Sequence, residues 1–126
     1  MLTDELPGWL QERGFGEIQA GWGWSMGGFG VLSYAAANPG ALRAAAAFSP
    51  AVSDGDALMD GPASLARTPL GIWCGTEDSL QPNVQRMVEH LPAPPRIVNF
   101  SPGAHTRAYW NEHTIEAFRF VASAMR

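Results

Sequence analysis

The sequence has almost no cysteine, no lysine and no long apolar run, and each shortage excludes a class of protein. Cys74 is the single cysteine of the 126 residues, so no internal disulfide can form, and no cysteine and histidine residues have zinc-site spacing. The eight basic residues are all arginine and the formal net charge is −4, opposite to the basic surface of a nucleic-acid-binding protein. We therefore expect no metal, no cofactor and no nucleic-acid partner.

Membrane and export signals are also missing. The longest uninterrupted apolar run covers residues 44–48, far short of the about 20 residues of a membrane-spanning helix. The chain starts with Asp4 and Glu5 close to Met1, where a secretory signal would carry lysine or arginine. We expect no membrane span, and the start favours a cytoplasmic location. The length is that of one domain.

Short apolar runs alternate with longer amphipathic ones along the chain. The short runs predict strands at 17–22, 44–48, 70–74 and 96–100. The longer ones predict helices at 6–13, 26–37, 82–91 and 107–125, with a loop that has one helical turn at 49–62. Such alternation implies a parallel sheet of about four strands with helices on both faces, which is an α/β fold. Ligands bind at the carboxyl ends of the strands in these sheets, so the chemistry is expected just after each strand.

A nucleophile-elbow motif, G-x-S-x-G, follows the first predicted strand as Gly23-Trp24-Ser25-Met26-Gly27. The motif needs a strand, a sharp turn that exposes the serine hydroxyl, and a helix, and all three are predicted here. The backbone N–H of Met26 would point from the helix start at the oxygen that becomes negative in acyl transfer. The same string also fits a glycine-rich turn in which Ser25 is only the N-cap of the helix.

An acid and a base follow two later strands. Asp78 ends the segment Cys-Gly-Thr-Glu-Asp after the third strand, and His105 ends Ser-Pro-Gly-Ala-His after the fourth. A serine nucleophile needs a base within hydrogen-bond reach, and the base needs an acid that fixes its tautomer. The chain order Ser25, Asp78, His105 is the order that α/β-hydrolases use. These three residues are the predicted catalytic triad.

Other polar and aromatic residues have simpler interpretations. Asp54 and Asp56 follow the second strand and could supply the acid if Asp78 points away, although Ser-Asp-Gly-Asp favours an Asx turn. We expect Glu77 to be solvated. Surface or packing roles are expected for the other candidates, which are His90, His113, Cys74, Trp22, Trp24, Tyr109 and Trp110. One or more of the aromatic residues among them could line an acyl pocket.

Four segments together resemble the esterase family of the α/β-hydrolase superfamily. They are Gly-Trp-Ser-Met-Gly-Gly-Phe-Gly, Asn-Pro-Gly-Ala-Leu-Arg-Ala-Ala-Ala-Ala-Phe-Ser-Pro-Ala, Cys-Gly-Thr-Glu-Asp and Gly-Ala-His-Thr-Arg-Ala-Tyr-Trp. The family includes S-formylglutathione hydrolases, feruloyl and acetylxylan esterases, enterochelin-type esterases and the antigen 85 mycolyltransferases. The resemblance implies that Ser25 is the nucleophile, His105 the general base and then acid, Asp78 its partner, and the Met26 N–H one oxyanion donor.

The resemblance also implies a fold longer than this chain, with roughly eight strands. Family members place the first strands, and the loop with the second oxyanion N–H, before the elbow. We therefore expect residues 1–126 to form a single domain truncated at its N-terminus, the C-terminal half of an α/β-hydrolase. The elbow strand would then have an open edge, which a second copy or a partner chain could cover. Loss of an oxyanion donor costs on the order of 10²–10³ in rate.

The predicted function is that of a serine carboxylic-ester hydrolase, which acts on a small-molecule ester through an acyl-enzyme on Ser25. Two alternatives stay open. One is an inactive or partner-dependent hydrolase fragment that acts as an interaction module. The other is a serine peptidase of the prolyl-oligopeptidase type, which shares the Gly-Trp-Ser-x-Gly-Gly elbow.

Overall fold

The computed structural model of this chain describes residues 20–124, which form a parallel sheet with helices packed against it. The strands are β1 (Ala20–Trp24), β2 (Ala44–Phe48), β3 (Leu70–Gly75) and β4 (Ile97–Ser101). The helices are α1 (Met26–Ala37), α2 (Gln81–His90), α3 (Arg107–Glu112) and α4 (Thr114–Ala124). The strands pair in the order β1-β2-β3-β4 and all run parallel. The α/β fold predicted from the alternating pattern is confirmed.

The register of the sheet aligns the carboxyl ends of its strands. Trp24 lies opposite Phe48, and Phe48 lies opposite Trp73. At the other side of the sheet, Gly75 pairs with Ser101. The loops after the four strands therefore begin side by side at one edge of the sheet, where the sequence places its candidate site residues.

Helices cover both faces of the sheet, as predicted. Alternate residues of a strand point to opposite faces. One face packs against apolar side chains of α1 and α2, which include Val31, Leu32, Val84 and Met87. The other packs against side chains of α3 and α4, which are Tyr109, Trp110, Ala117 and Phe120. Because both faces are covered, all five residues of β2 are fully buried.

A row of aromatic rings fills the face that packs against α3 and α4. The Phe48 ring stacks between Trp22, at a centroid distance of 5.6 Å, and Trp73, at 5.0 Å. Phe120 of α4 meets Trp73 edge-on at 6.2 Å. β2 offers only methyl groups elsewhere along its length, so these rings supply bulk that alanine cannot. Such packing is worth several kcal/mol for each large ring, at about 25 cal/mol per Å² of buried area.

The C-terminal helical segment differs from its prediction as one helix over 107–125, because α3 and α4 are separated at His113. The Thr114 hydroxyl donates to the Trp110 carbonyl at 2.9 Å, and the His113 N–H donates to the same carbonyl at 3.2 Å. That carbonyl is the one a continuous helix would pair with the Thr114 N–H. Local side-chain bonding thus competes with the helical pattern and interrupts it.

The remaining predicted elements agree with the structure to within about two residues wherever they are described. The loop predicted over 49–62 contains one 3₁₀-helix, Ala57–Asp60, which is the single helical turn predicted, and a second 3₁₀-helix, Ala63–Arg67, follows it where no element was predicted. The predicted helix at 6–13 and the first three residues of the strand predicted at 17–22 lie outside the described residues. Within residues 20–124, β1 and β4 form the two edges of the sheet. No helix in this part of the chain has the length and apolar character needed to cross a bilayer.

Candidate active site

Ser25 occupies a strained backbone turn between β1 and α1. Its φ of 56° and ψ of −119° belong to a region that residues with a side chain rarely adopt. Three backbone hydrogen bonds hold it there. The Ser25 N–H donates to the Phe48 carbonyl at 2.8 Å, and the Ser25 carbonyl accepts from the N–H groups of Phe29 and Ala51 at 3.0 Å each. Bonds to β2, to the loop that follows it and to the first turn of α1 thus hold Ser25 in the strained conformation.

The Ser25 side chain does not cap α1, so the structure contradicts the interpretation of Ser25 as a plain N-cap serine. Its Oγ lies 3.0 Å from Nε2 of His105 instead. The strain therefore presents the hydroxyl to the histidine, which is the arrangement expected at a nucleophile elbow.

The two motif glycines differ in what surrounds them. A Cβ atom at Gly23 would lie 2.5 Å from the backbone carbon and oxygen of Gly27, so any side chain there would push α1 away from β1. A Cβ atom at Gly27 would have no atom of the described residues within 4 Å. Close packing of strand against helix thus needs glycine at position 23.

His105 and Asp78 complete a chain of contacts that begins at Ser25. Nδ1 of His105 lies 2.8 Å from Oδ2 of Asp78, whose side chain is fully buried while that of His105 is 34% exposed. The second carboxylate oxygen, Oδ1, accepts the Leu80 N–H at 2.9 Å. A carboxylate can only accept, so a neutral His105 carries its proton on Nδ1 and turns the lone pair of Nε2 toward Ser25. The structure thus brings together the three residues of the predicted triad.

The ring of Trp110, which lies on α3, packs against the imidazole of His105. The Trp110 ring meets His105 edge-on, with centroids 5.1 Å apart and an interplanar angle of 88°. Trp110 also stacks on Trp24 at 5.4 Å, and its Nε1–H donates to Oγ of buried Ser49 at 3.0 Å. Trp24 and Trp110 were predicted to have packing roles, with a pocket-lining role left open, and Ser49 was not among the predicted site residues. The feature of the sequence that could have indicated the contact with His105 is Trp110, which lies five positions after the histidine.

Met26 is the first residue of α1, and its side chain is exposed. The N–H groups of the first helical turn have no partner in the α-helical bonding pattern. They also lie at the positive end of the helix dipole. The Met26 N–H can therefore stabilise a negative oxygen that forms next to Ser25.

The alternative acids lie in other interactions. Asp54 pairs with Arg86 of α2 at 2.6 Å. Asp56 accepts the Ser53 N–H at 2.7 Å, in a local turn of the kind predicted for this loop. Asp78, and neither of these two, is the carboxylate in contact with His105.

The other two histidines lie outside the contact chain from Ser25 to Asp78, and Cys74 is a buried neighbour of Asp78. Nδ1 of His90 lies 2.7 Å from the Arg86 carbonyl within α2. His113 contacts Oγ of Ser101 at 3.3 Å. Burial, and secondarily the nearby charge of Asp78, raises the pKa of the Cys74 thiol to about 12. Cys74 is a buried core residue and is not a thiolate nucleophile at neutral pH.

The Glu116 carboxylate on α4 bonds to side chains of two strands, β3 and β4. Oε1 of Glu116 accepts the Trp73 indole N–H at 2.6 Å and the Asn99 side-chain N–H at 3.1 Å, with Nδ1 of His113 at 3.8 Å. The bond from Trp73 is the main cause that lowers the pKa of Glu116 below its ordinary 4.5. The charged form of Glu116 is therefore the one that the fold stabilises.

Replacement of Glu116 with glutamine is expected to flatten the acid side of the stability profile. Because the folded-state pKa of Glu116 is below the unfolded value, its stabilising contribution is full above pH 4.5 and is lost as the pH falls through the folded-state pKa. Glutamine keeps an oxygen for the Trp73 bond but has no charge to titrate. The measurement is the free energy of unfolding in urea at a series of pH values below 6. An equal acid dependence in both proteins would contradict the expectation.

A strand, a strained serine turn and a helix, with an acid and a histidine after two further parallel strands, are the parts of an α/β-hydrolase. The chain belongs to the esterase family, since the family model described as "Putative esterase" matches residues 1–87. No curated protein matches the chain.

Solved structures share the fold of this chain at low sequence identity. An S-formylglutathione hydrolase from Agrobacterium tumefaciens is 19% identical with a TM-score of 0.76, and the match covers 99% of this chain and 56% of that one. A ferulic acid esterase is 18% identical with a TM-score of 0.76, over 99% of this chain and 60% of that one. A fluorophosphonate-binding serine hydrolase from Staphylococcus aureus is 18% identical with a TM-score of 0.71, over 95% of this chain and 62% of that one. The chain thus spans somewhat more than half the length of these structures.

Proposed function

We propose that this chain carries the catalytic triad of a serine carboxylic-ester hydrolase, with Ser25 as nucleophile, His105 as general base and Asp78 as its orienting acid. The observation that carries the proposal is the line of contacts at a strained serine. Oγ of Ser25 lies 3.0 Å from one nitrogen of His105, and the other nitrogen lies 2.8 Å from a fully buried Asp78 carboxylate. Membership of an esterase family favours ester substrates over peptides.

The first half of the proposed reaction transfers the acyl group to Ser25. Oγ of Ser25 attacks the carbonyl carbon of a small-molecule ester while Nε2 of His105 takes the hydroxyl proton. The carbonyl oxygen becomes negative in the tetrahedral intermediate, and the Met26 N–H is one donor that stabilises it. The intermediate collapses, the ester C–O bond breaks, and the alcohol leaves with the proton that His105 held. The acyl group stays on Ser25.

The second half returns the enzyme to its starting state. Water attacks the acyl carbonyl and gives a proton to Nε2 of His105. When this intermediate collapses, Oγ of Ser25 leaves and takes the proton back, and the carboxylic acid is released. Asp78 keeps its bond to Nδ1 throughout, which holds the ring orientation and stabilises the imidazolium that forms twice in the cycle.

Reaction with a fluorophosphonate probe tests the proposal at the level of one residue. The folded 126-residue chain is expected to become labelled on Ser25, and Ser25→Ala is expected to lose all labelling, because the histidine that contacts Ser25 is itself bonded to a fully buried carboxylate at 2.8 Å. Ser101 also contacts a histidine, His113, but the carboxylate nearest that ring, Glu116, is half-exposed and lies 3.8 Å away. Ser53→Ala is the matched control, since Ser53 lies in an exposed loop and contacts Asp56 instead. Intact-mass and peptide mass spectrometry would locate the adduct.

Two results would contradict the proposal. One is labelling of Ser25→Ala to the same extent as the parent chain. The other is a parent chain that circular dichroism shows to be folded and that does not react at all.

A further inference from the structure

The loops that carry Asp78 and His105 stay joined beyond the ends of their strands. The last pair of the β3–β4 ladder is Gly75 with Ser101. Past it, the Thr76 N–H donates to the Ser101 carbonyl at 2.9 Å, and the Glu77 N–H donates to the Gly103 carbonyl at 2.9 Å. The two loops therefore leave the sheet as a bonded pair.

The Glu77 side chain closes this pairing with a second bond to the same residue. Its Oε1 accepts the Gly103 N–H at 2.8 Å, so Glu77 binds both the N–H and the carbonyl of Gly103. Oε2 of Glu77 accepts the Thr76 hydroxyl. The bond from the Thr76 hydroxyl, and secondarily the bond from the Gly103 N–H, lowers the pKa of Glu77 below its ordinary value, so the carboxylate is ionised at neutral pH. A charged acceptor makes the stronger kind of hydrogen bond to a backbone N–H.

Two glycines at this junction, Gly75 and Gly103, have no room for a side chain. A Cβ atom at Gly75 would lie 2.1 Å from the Gly103 oxygen. Gly103 has a φ of 148°, and a Cβ atom there would lie 2.3 Å from the ring of buried Tyr109. Gly103 is thus held between Tyr109 on one side and the loop of Glu77 on the other.

We propose that Glu77 is a positioning residue, whose bond to the Gly103 N–H holds the loop of the acid and the loop of the base at their working separation. Glu77 directly precedes Asp78, and Gly103 is two residues before His105, so a shift at this bond is passed to the Asp78–His105 contact within two residues on either side. The inference rests on the proposed function, since it concerns the geometry of the proposed triad. Glu77 is exposed, as expected for a solvated carboxylate, and it is also bonded across the two loops.

Two variants separate the bond from the charge. Glu77→Gln keeps a side-chain oxygen that can accept the Gly103 N–H and removes the charge. Glu77→Ala removes both. Glu89→Ala, which truncates an exposed glutamate on α2, is the matched control for loss of a surface carboxylate.

The first readout is the downfield proton signal of the His105 Nδ1–H in NMR spectra, identified by its disappearance in His105→Gln. This signal reports the bond to Asp78 and does not depend on turnover. We expect it to be kept in Glu77→Gln and Glu89→Ala, and to be shifted upfield or lost by exchange in Glu77→Ala. Circular dichroism at the same temperature establishes that each variant is folded.

The second readout is the rate of Ser25 labelling by a fluorophosphonate. We expect Glu77→Ala to react about 10- to 100-fold more slowly, since displacement of a catalytic group by about 1 Å has effects of that size. Glu77→Gln is expected to react at close to the parent rate.

The outcomes distinguish this inference from the proposed function. If the parent chain is not labelled but the His105 signal still depends on Glu77, the positioning role stands and the proposed function fails. The positioning role is overturned if folded Glu77→Ala keeps the parent signal and rate. It is equally overturned if Glu77→Gln is as impaired as Glu77→Ala, because the charge, and not the bond to Gly103, would then be the cause.

Discussion

Asp78→Asn is expected to slow Ser25 labelling by about 10³- to 10⁴-fold, the size of effect that loss of the orienting carboxylate has in serine hydrolases. The reason is the tautomer of His105. An asparagine side chain can present its NH₂ group to Nδ1, which places the imidazole proton on Nε2, facing Ser25. Nε2 can then no longer accept the Ser25 proton. The second-order rate constant with a fluorophosphonate measures the effect.

Asp54→Asn is the control for this experiment. Asp54 is also a carboxylate in a loop after a strand, but it pairs with Arg86 on the surface and does not contact His105. We expect its labelling rate to match that of the parent chain. A rate for Asp78→Asn equal to that of Asp54→Asn, in a folded protein, would show that the buried carboxylate has no part in the activation of Ser25.

Gly23→Ala is expected to lower the free energy of unfolding by about 3 kcal/mol, the upper part of the usual range for forcing a methyl group into a packed site. The added Cβ atom would meet the backbone of Gly27 at 2.5 Å, and a backbone cannot rotate away as a flexible side chain can. The clash separates β1 from the first turn of α1, which also displaces Ser25 and the Met26 N–H. Urea-induced unfolding, followed by circular dichroism, gives the free energy.

Gly27→Ala is the matched variant, because it adds the same methyl group to the second glycine of the same motif. No atom of the described residues lies within 4 Å of that Cβ position, and residue 27 is in the first turn of a helix, where alanine is favoured over glycine by about 0.5–1 kcal/mol. We expect its stability to equal or exceed that of the parent. Equal losses in both alanine variants would refute the steric explanation.

Much of the fold could be predicted because the sequence is strongly punctuated. The bounds of α1 and β2 match their predictions at 26–37 and 44–48, since Asn-Pro-Gly ends the helix and a run of alanine and phenylalanine marks a strand buried on both faces. The division of the C-terminal segment at His113 was not predicted. At this point the Thr114 hydroxyl bonds to a carbonyl of the preceding turn, and the spacing of hydrophobic residues does not predict such a side-chain bond.

Some features of the site likewise follow from the local sequence, and others follow only from the tertiary structure. The sequence by itself determined which residues are candidates and the edge where they lie, because each follows a strand of a parallel sheet and carboxyl ends of parallel strands align. Only the tertiary structure decided that Asp78, and not Asp54 or Asp56, contacts His105. It also decided that Glu77 joins the two loops. The physical reason is range: turns and strands depend on neighbouring residues, whereas a contact at 2.8 Å between residues 27 positions apart depends on how the strands pair and what packs behind them.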